Sequence, residues 1–259
     1  MADYEFCKIE RDGRLLIVTL NRPERMNALH PPANIELGKV FDDFSADPEL
    51  WGAIITGAGD RAFSAGNDLK FTAESGGKLA FAEKGFAGLT SRFDNVKPVI
   101  AAVNGVAMGG GFEIALACDL IIAADSAIFA LPEPRVGLAA LAGGVHRLPA
   151  QIGLKHALGM ILTGRRVSAK EGFDLGFVNE VVPAADLMAT ARRWADQILE
   201  CAPLCVRASK QATMGGLGMS IQDAMDTKFP AVSQMLKSED TLEGPRAFAE
   251  KRKPNWQGR

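Results

Sequence analysis

Glu113 is the only residue charged at neutral pH between Lys97 and Asp119, and it follows three consecutive glycines, Gly109, Gly110 and Gly111. Ahead of them, Val99 to Val103 has the length and β-branching of a buried strand, and Asn104-Gly105 is a turn signal. Behind them, Phe112 to Cys118 has almost no polar face, which predicts a helix buried on most sides. A lone carboxylate in the first turn of such a helix is costly unless something uses it. The glycines bare the backbone where the chain enters the helix, so its free N–H groups can approach a ligand. Bare donors at the positive helix end, with a carboxylate one turn on, are equipment for stabilising an oxyanion and moving a proton. The same residues fit a tight strand-to-helix turn whose glutamate faces water. This stretch alone does not choose between the two.

Other chemistries are weaker. Gly105 and Gly110 are followed by Gly111-Phe112 rather than Lys-Ser/Thr, so the P-loop pattern fails, and the glycine spacing is wrong for a dinucleotide turn. There is no G-x-S-x-G nucleophile elbow. His30, His146 and His156 make no metal spacing with any carboxylate, which predicts no metal site. The four cysteines, Cys7, Cys118, Cys201 and Cys205, form no C-x-x-C pair; a reduced, cytoplasmic setting is the simplest account, with Cys201 and Cys205 as two packed core thiols in one helical pattern.

The elements that position Glu113 come from a chain of 259 residues, enough for one large α/β domain or a core plus a smaller helical part. Hydrophobic content of 47% with 23% charged residues is ordinary for a globular enzyme, and a net charge of −2 without basic clusters argues against nucleic acid or an anionic membrane as partner. No apolar run approaches the ~20 residues of a membrane span. Met1 to Glu5 has neither a basic nor an apolar leader region, which predicts no signal peptide.

Along the chain, Tyr4 to Glu10 and Leu15 to Leu20 read as strands around an Asp12-Gly13 turn, and Pro31-Pro32 precedes a helix to about Ser45. Ala53 to Thr56 is a third strand, and Phe63 to Asp68 an irregular stretch. Glu74 to Lys84 looks mobile, and Phe86 to Asp94 resumes helical spacing. Leu120 to Ala123 and Ala127 to Ala130 are strands. Pro132-Glu133-Pro134 then interrupts regular structure, because neither proline donates to a ladder. Ser168 to Glu171 fits a capping box, and Phe177 to Val182 is the last strand. From Ala184 on, helices are expected at Asp186 to Cys201, Leu204 to Met214, Ser220 to Leu236 and Thr241 to Lys251. That order predicts an α/β core over 1–183 and a helical subdomain over 184–259.

Three motifs in order, Ala65-Gly66-Asn67-Asp68-Leu69, Asn104-Gly105 through Gly109-Gly110-Gly111-Phe112-Glu113, and Phe129-x-x-Pro132-Glu133, resemble the enoyl-CoA hydratase/isomerase (crotonase) superfamily. The resemblance runs from Leu16 to Arg252, nearly the whole chain. Phe86 to Thr90 and the run from Ser238 to Arg259 are similar to the branch that hydrates crotonobetainyl-CoA.

What the resemblance implies is an α/β fold, a spiral of ββα units with a C-terminal helical trimerisation region, and a homotrimer or homohexamer. It implies reversible syn hydration of a trans-2-enoyl-CoA, with the thioester oxygen held by the backbone N–H groups of Asn67 and Gly110. Glu113 would act on the attacking water and Glu133 on the α-carbon proton. Read by itself, Glu133 fits equally a surface loop residue paired with Arg135. No metal or redox cofactor is implied, and coenzyme A enters only as part of the substrate. Arg25, Ala28, Ala65, Asn67, Asp68, Leu69, Lys70 and Lys251 (the last from a neighbouring subunit) are the coenzyme A candidates. Gly109, Pro132 and Leu141 are those for the acyl pocket, with Thr72 to Ala82 setting acyl specificity. Leu141 stands where crotonobetainyl-like members carry an acid, which favours a more apolar acyl group. Crotonobetainyl-CoA hydration, double-bond isomerisation, and a non-catalytic acyl-CoA-binding or RNA-associated role are the alternatives.

Overall fold

The computed structural model describes residues 4–76 and 83–259. Residues 77–82, within the stretch expected to be mobile and to set acyl specificity, lie outside the described residues.

The chain begins with a hairpin of β1 (Cys7–Asp12) and β2 (Leu15–Leu20), then α1 (Pro31–Ala46). A three-part unit follows, repeated: a strand of a larger sheet, a short strand of a smaller sheet, and a helix or turn leading back. The units are β3 (Gly52–Gly57), β4 (Ala62–Ser64) and α2 (Leu69–Glu74); then β5 (Val99–Val103), β6 (Val106–Met108) and α3 (Gly110–Ala117). The third is β7 (Leu120–Ala124), β8 (Ile128–Ala130) and a 3-10 turn at Glu133–Val136. Then come α4 (Gly144–Gln151), α5 (Leu154–Thr163), β9 (Val167–Ser168), α6 (Ala169–Leu175) and β10 (Glu180–Val182). Helices α7 (Leu187–Leu199), α8 (Pro203–Gly216), α9 (Ile221–Asp226), α10 (Pro230–Met235) and α11 (Asp240–Ala249) complete the chain.

The larger sheet has the order β1-β2-β3-β5-β7-β10 and the smaller β4-β6-β8-β9. In the larger sheet only β1 pairs antiparallel, and β2 to β10 run parallel. Parallel strands need both faces covered, and the side-chain period of two sorts their residues accordingly. Leu16, Val18, Ile55, Ala101 and Val103 point into the main core with Phe112 and Phe129. Their neighbours Leu15, Ile17, Ile54, Ile100 and Ala102 face the other way and pack against Leu187, Ala191 and Ala195 of α7.

Several expectations are corrected. Phe86 to Asp94 is not a helix but a 3-10 turn at Phe86–Gly88 followed by turns, with Gly85, Ala87 and Gly88 at positive φ. Gly88 lies so close to α1 that a methyl there would sit 2.5 Å from the Gly38 Cα, so packing against α1 overrides the helical spacing. Ser220 to Leu236 splits into α9 and α10, because Pro230 holds Phe229 extended. Cys201 is exposed beyond the end of α7 and Cys205 lies in α8, so they are not a packed pair in one helix. The last strand shortens to Glu180–Val182, while Asn179 turns its side chain to accept from the Ile121 N–H. The hairpin turn falls one residue later than expected, at Gly13-Arg14. The Ser168 Oγ does accept from the Glu171 N–H, as the capping box predicts. β4, β6 and β9, of two or three residues each, are too short to show a period in sequence.

The chain end is tied down by one carboxylate. Asp240, 2% exposed, accepts the N–H groups of Gln257 at 2.7 Å and Gly258 at 2.9 Å. Charge-assisted bonds of this kind contribute ~1.5–3 kcal/mol each when desolvated. Asp240→Ala is therefore expected to lower unfolding free energy by about 2–4 kcal/mol in a urea titration, with Asp240→Asn losing less.

Candidate active site

Gly66 and the start of α3 meet backbone to backbone. A methyl on Gly66 would stand 2.6 Å from the Gly110 nitrogen and 2.7 Å from the Met108 oxygen, so only glycine, here at φ +83°, fits. On the other side, a methyl on Gly111 would collide with the Ser64 carbonyl. Asn67, which follows Gly66, is thereby placed beside Gly110, the first residue of α3. Position in the helix leaves the Gly110 N–H without an intrahelical acceptor. Neither this N–H nor that of Asn67 donates to another group among the described residues.

Two ties fix the Asn67 side. Ser64 Oγ donates to the Asn27 carbonyl at 2.8 Å and accepts from the Gly66 N–H at 3.1 Å. The buried Asn27 side chain, on a residue with φ 52°, donates to the Ala58 and Ala62 carbonyls. Backbone bonds from Leu29 to Gly66, from Ala65 to Met26 and from Asp68 to Leu29 then join loop 25–29 to loop 65–70.

Glu113 is 3% exposed, so the water-facing reading is overturned. Its Oε1 accepts the Gly144 N–H at 2.9 Å, and a methyl on Gly144 would reach within 3.1 Å of that oxygen. Burial pushes the Glu113 carboxyl up to about 7. The Gly144 and Ala142 amides and the Arg147 cation pull against that rise, and the charge of Glu133 adds to it.

Glu133 opens the 3-10 turn after β8 and does not pair with Arg135, whose Nε donates to the Thr163 carbonyl. Its Oε1 lies 3.1 Å from where a methyl on Gly109 would be, while Oε2 is buried with no partner among the described residues. Burial raises its pKa as well. Glu113 therefore stands in the first turn of α3, and the Glu133 carboxyl lies against Gly109, the residue that caps that helix. The arrangement can polarise a carbonyl oxygen, take a proton and return one.

The other expected residues are distributed unevenly. Ala28 and Ala65 sit in the joined loops, with Arg25, Leu69 and Lys70 exposed beside them. Asp68 is already engaged: it N-caps α2 and forms an ion pair with Arg22 at 3.1 Å, which holds its carboxyl below the ordinary value against the cost of burial. Lys251 follows α11, exposed and at φ 53°. Gly109 caps α3, and half-buried Pro132 precedes the turn of Glu133. Leu141 is 73% exposed. Gly144, Ser64, Asn27 and Arg147 are the residues the sequence reading missed. The Gly143-Gly144 pair was the available signal for a close backbone approach.

Stability should record the burial of Glu113. Its folded pKa, about 7, exceeds the ordinary 4.5, so its contribution is full below about pH 4.5 and is lost as pH rises through 7. Glu113→Gln, which keeps an oxygen for the Gly144 N–H, is expected to be more stable than wild type at pH 8. The gain, about 1–3 kcal/mol in denaturant titrations, should vanish toward pH 4.5.

Comparison with known proteins gives a consistent result. The profile of the family described as Enoyl-CoA hydratase/isomerase matches residues 10–259. The carnitinyl-CoA dehydratase of Escherichia coli (strain K12) is 47% identical over 263 residues, 98% of this chain and 99% of its own. That of Proteus mirabilis is 48% identical over 252 residues, 95% and 96% of the two chains. The crystal structure of enoyl-CoA hydratase from Mycobacterium tuberculosis H37Rv is similar at TM-score 0.92 and 37% identity, covering 98% of this chain and 99% of that one.

Proposed function

The chain belongs to the enoyl-CoA hydratase/isomerase family, and on that premise we propose that it adds water reversibly, in syn fashion, to a trans-2-enoyl-CoA. The product is a 3-hydroxyacyl-CoA, which makes the chain a hydro-lyase. The observation that carries the reading is the buried Glu113 and the half-buried Glu133, whose Oε2 is buried without a partner among the described residues, at a helix start that offers unused N–H groups.

The Asn67 and Gly110 N–H groups hold the thioester oxygen, whose negative charge grows as the β-carbon is attacked. Donors fixed in a desolvated site gain most where charge develops, in the transition state. Ionised Glu113 takes a proton from the attacking water, with the Gly144 N–H and Arg147 available to hold its charge. The new C–O bond forms at the β-carbon and the double-bond electrons move onto the thioester. Protonated Glu133 then gives its proton to the α-carbon, and the two carboxyls have exchanged protonation states. The reading calls on no metal or redox group.

Coenzyme A is placed across the joined loops, with the backbone of Ala28, Ala65 and Asn67 along it. Arg25 and Lys70, exposed and free of ion pairs among the described residues, are suited to phosphate contacts. Lys251 would reach in from a neighbouring subunit. Gly109 and Pro132 border the acyl group beside Glu133. Leu141 and the absence of any acid from Gly137 to Gly144 favour an uncharged acyl end. The names of the 47–48% identical relatives support a second reading, crotonobetainyl-CoA as the substrate.

Hydration of crotonyl-CoA, followed by loss of enoyl-thioester absorbance, is the test. Wild type should turn over, with Glu113→Gln and Glu133→Gln each lowered by at least about a thousandfold. kcat/KM should fall about tenfold per pH unit below about 7, where Glu113 is protonated. Turnover of crotonobetainyl-CoA alone would move the assignment to the second reading. Isomerase activity surviving Glu113→Gln but not Glu133→Gln would overturn the assigned roles.

A homotrimer or homohexamer fits the C-terminal helices. Ile221 and Met225, each 81% exposed, line a groove of about 410 Å³ together with Met219, Phe229 and Val232. Light scattering is expected to return three or six chains, and Ile221→Asp with Met225→Asp to shift the population toward monomer. No helix among the described residues is long and apolar enough to cross a membrane. Free thiols at Cys7, Cys118, Cys201 and Cys205 suit the cytoplasm.

A further inference from the structure

Arg147, on α4, is a partly buried guanidinium that itself takes and gives no proton in the acid–base chemistry described so far. Its Nη2 donates to the Thr90 carbonyl at 2.8 Å and its Nη1 to the Ala142 carbonyl at 3.4 Å. Both acceptors are neutral, so its charge is not spent on a contacting carboxylate. The acceptors belong to two different walls of the site. Thr90 follows the Phe86–Gly88 turn, whose Phe86 ring packs on Gly110, where a methyl would be 2.8 Å from Cε1. Ala142 leads into Gly143, at φ +113°, and a methyl on Gly143 would collide with Nη1. The next residue, Gly144, is the one that donates to Glu113.

We infer that Arg147 is a positioning residue for the acid–base pair: it braces the turn that presents the Gly144 N–H and places a positive charge that favours the ionised form of Glu113. The inference rests on the reading of Glu113 as the base. The charged and titratable groups around this spot are few. Glu113 on α3 and Cys118, just past its end, are the groups that interact with the Arg147 charge. From the 3-10 turn after β8 comes Glu133, which opposes ionisation of Glu113. On α4 itself His146 is exposed. From the segment after Gly88, Arg92 pairs with Asp42 at 2.8 Å and Asp94 with Lys84 at 3.3 Å, so neither compensates Arg147. Burial lowers the Arg147 pKa, yet a guanidinium stays charged through neutral pH.

A carboxylate that has lost a nearby cation in a desolvated site becomes harder to ionise. A brace that acts only on shape affects turnover without moving the titration. The two contributions therefore separate in a pH profile. The experiment measures kcat/KM for crotonyl-CoA hydration against pH in wild type, Arg147→Lys, Arg147→Gln and Arg147→Met, with Glu113→Gln alongside. In the glutamine and methionine variants the acid limb is expected to move up by about one pH unit. In the lysine variant the limb should stay within a few tenths of a unit of wild type. Its kcat should drop about tenfold, because one ammonium does not span both carbonyls as the guanidinium fork does. An acid limb unmoved in the uncharged variants, or moved equally by lysine and glutamine, overturns the inference. Two uncharged variants of different shape keep the comparison available when one of them does not fold. Full activity in Glu113→Gln would instead remove the base reading itself, an outcome distinct from every Arg147 result.

Discussion

The catalytic end depends on a backbone approach that has no room for a side chain. Gly66 presses on the Gly110 nitrogen and Gly111 on the Ser64 carbonyl, so the ends of two successive ββα units touch main chain to main chain. That contact brings Asn67, which follows Gly66, beside Gly110, about forty residues on in sequence. A methyl at Gly66 or Gly111 would force the units apart. The Ser64 hydroxyl and the Asn27 carboxamide satisfy the carbonyls and N–H groups that so tight a crossing leaves buried.

The second constraint is electrostatic. Burying a carboxylate carries an effective penalty of several kcal/mol, and one charge-assisted bond returns ~1.5–3 kcal/mol of it. Glu113 receives the Gly144 bond and Glu133 Oε2 receives none among the described residues, so the penalty is only partly offset. The residual cost appears as raised pKa values in both carboxyls. At Glu113 fold stability is traded for a pKa of about 7, where a group that both takes and gives a proton is most effective.

The C-terminal helices divide by what they cover. α7 closes the outer face of the larger sheet through Leu187, Ala191 and Ala195 and belongs to the packing of the core. By contrast, α9 leaves Ile221 and Met225 in the open.

From the sequence alone came the features that local chemistry dictates. The lone Glu113 behind three glycines, the uncharged run around it, the alternating strands and the helical tail were all legible, because burial and period leave a direct trace in residue types. The motif spacing also carried the family. Packing decided the rest. Phe86 to Asp94 has helical spacing but folds as turns, because Gly88 must lie against Gly38 of α1. Strands of two or three residues show no period of their own and exist only because a neighbouring strand pairs with them. Glu133, which by itself reads as a surface partner of Arg135, is half-buried with its Oε2 shielded from water, because the turn after β8 tucks it against Gly109. The Gly144 N–H and the Arg147 cation reach Glu113 from about thirty residues away, and contacts at that separation are set by how the layers stack.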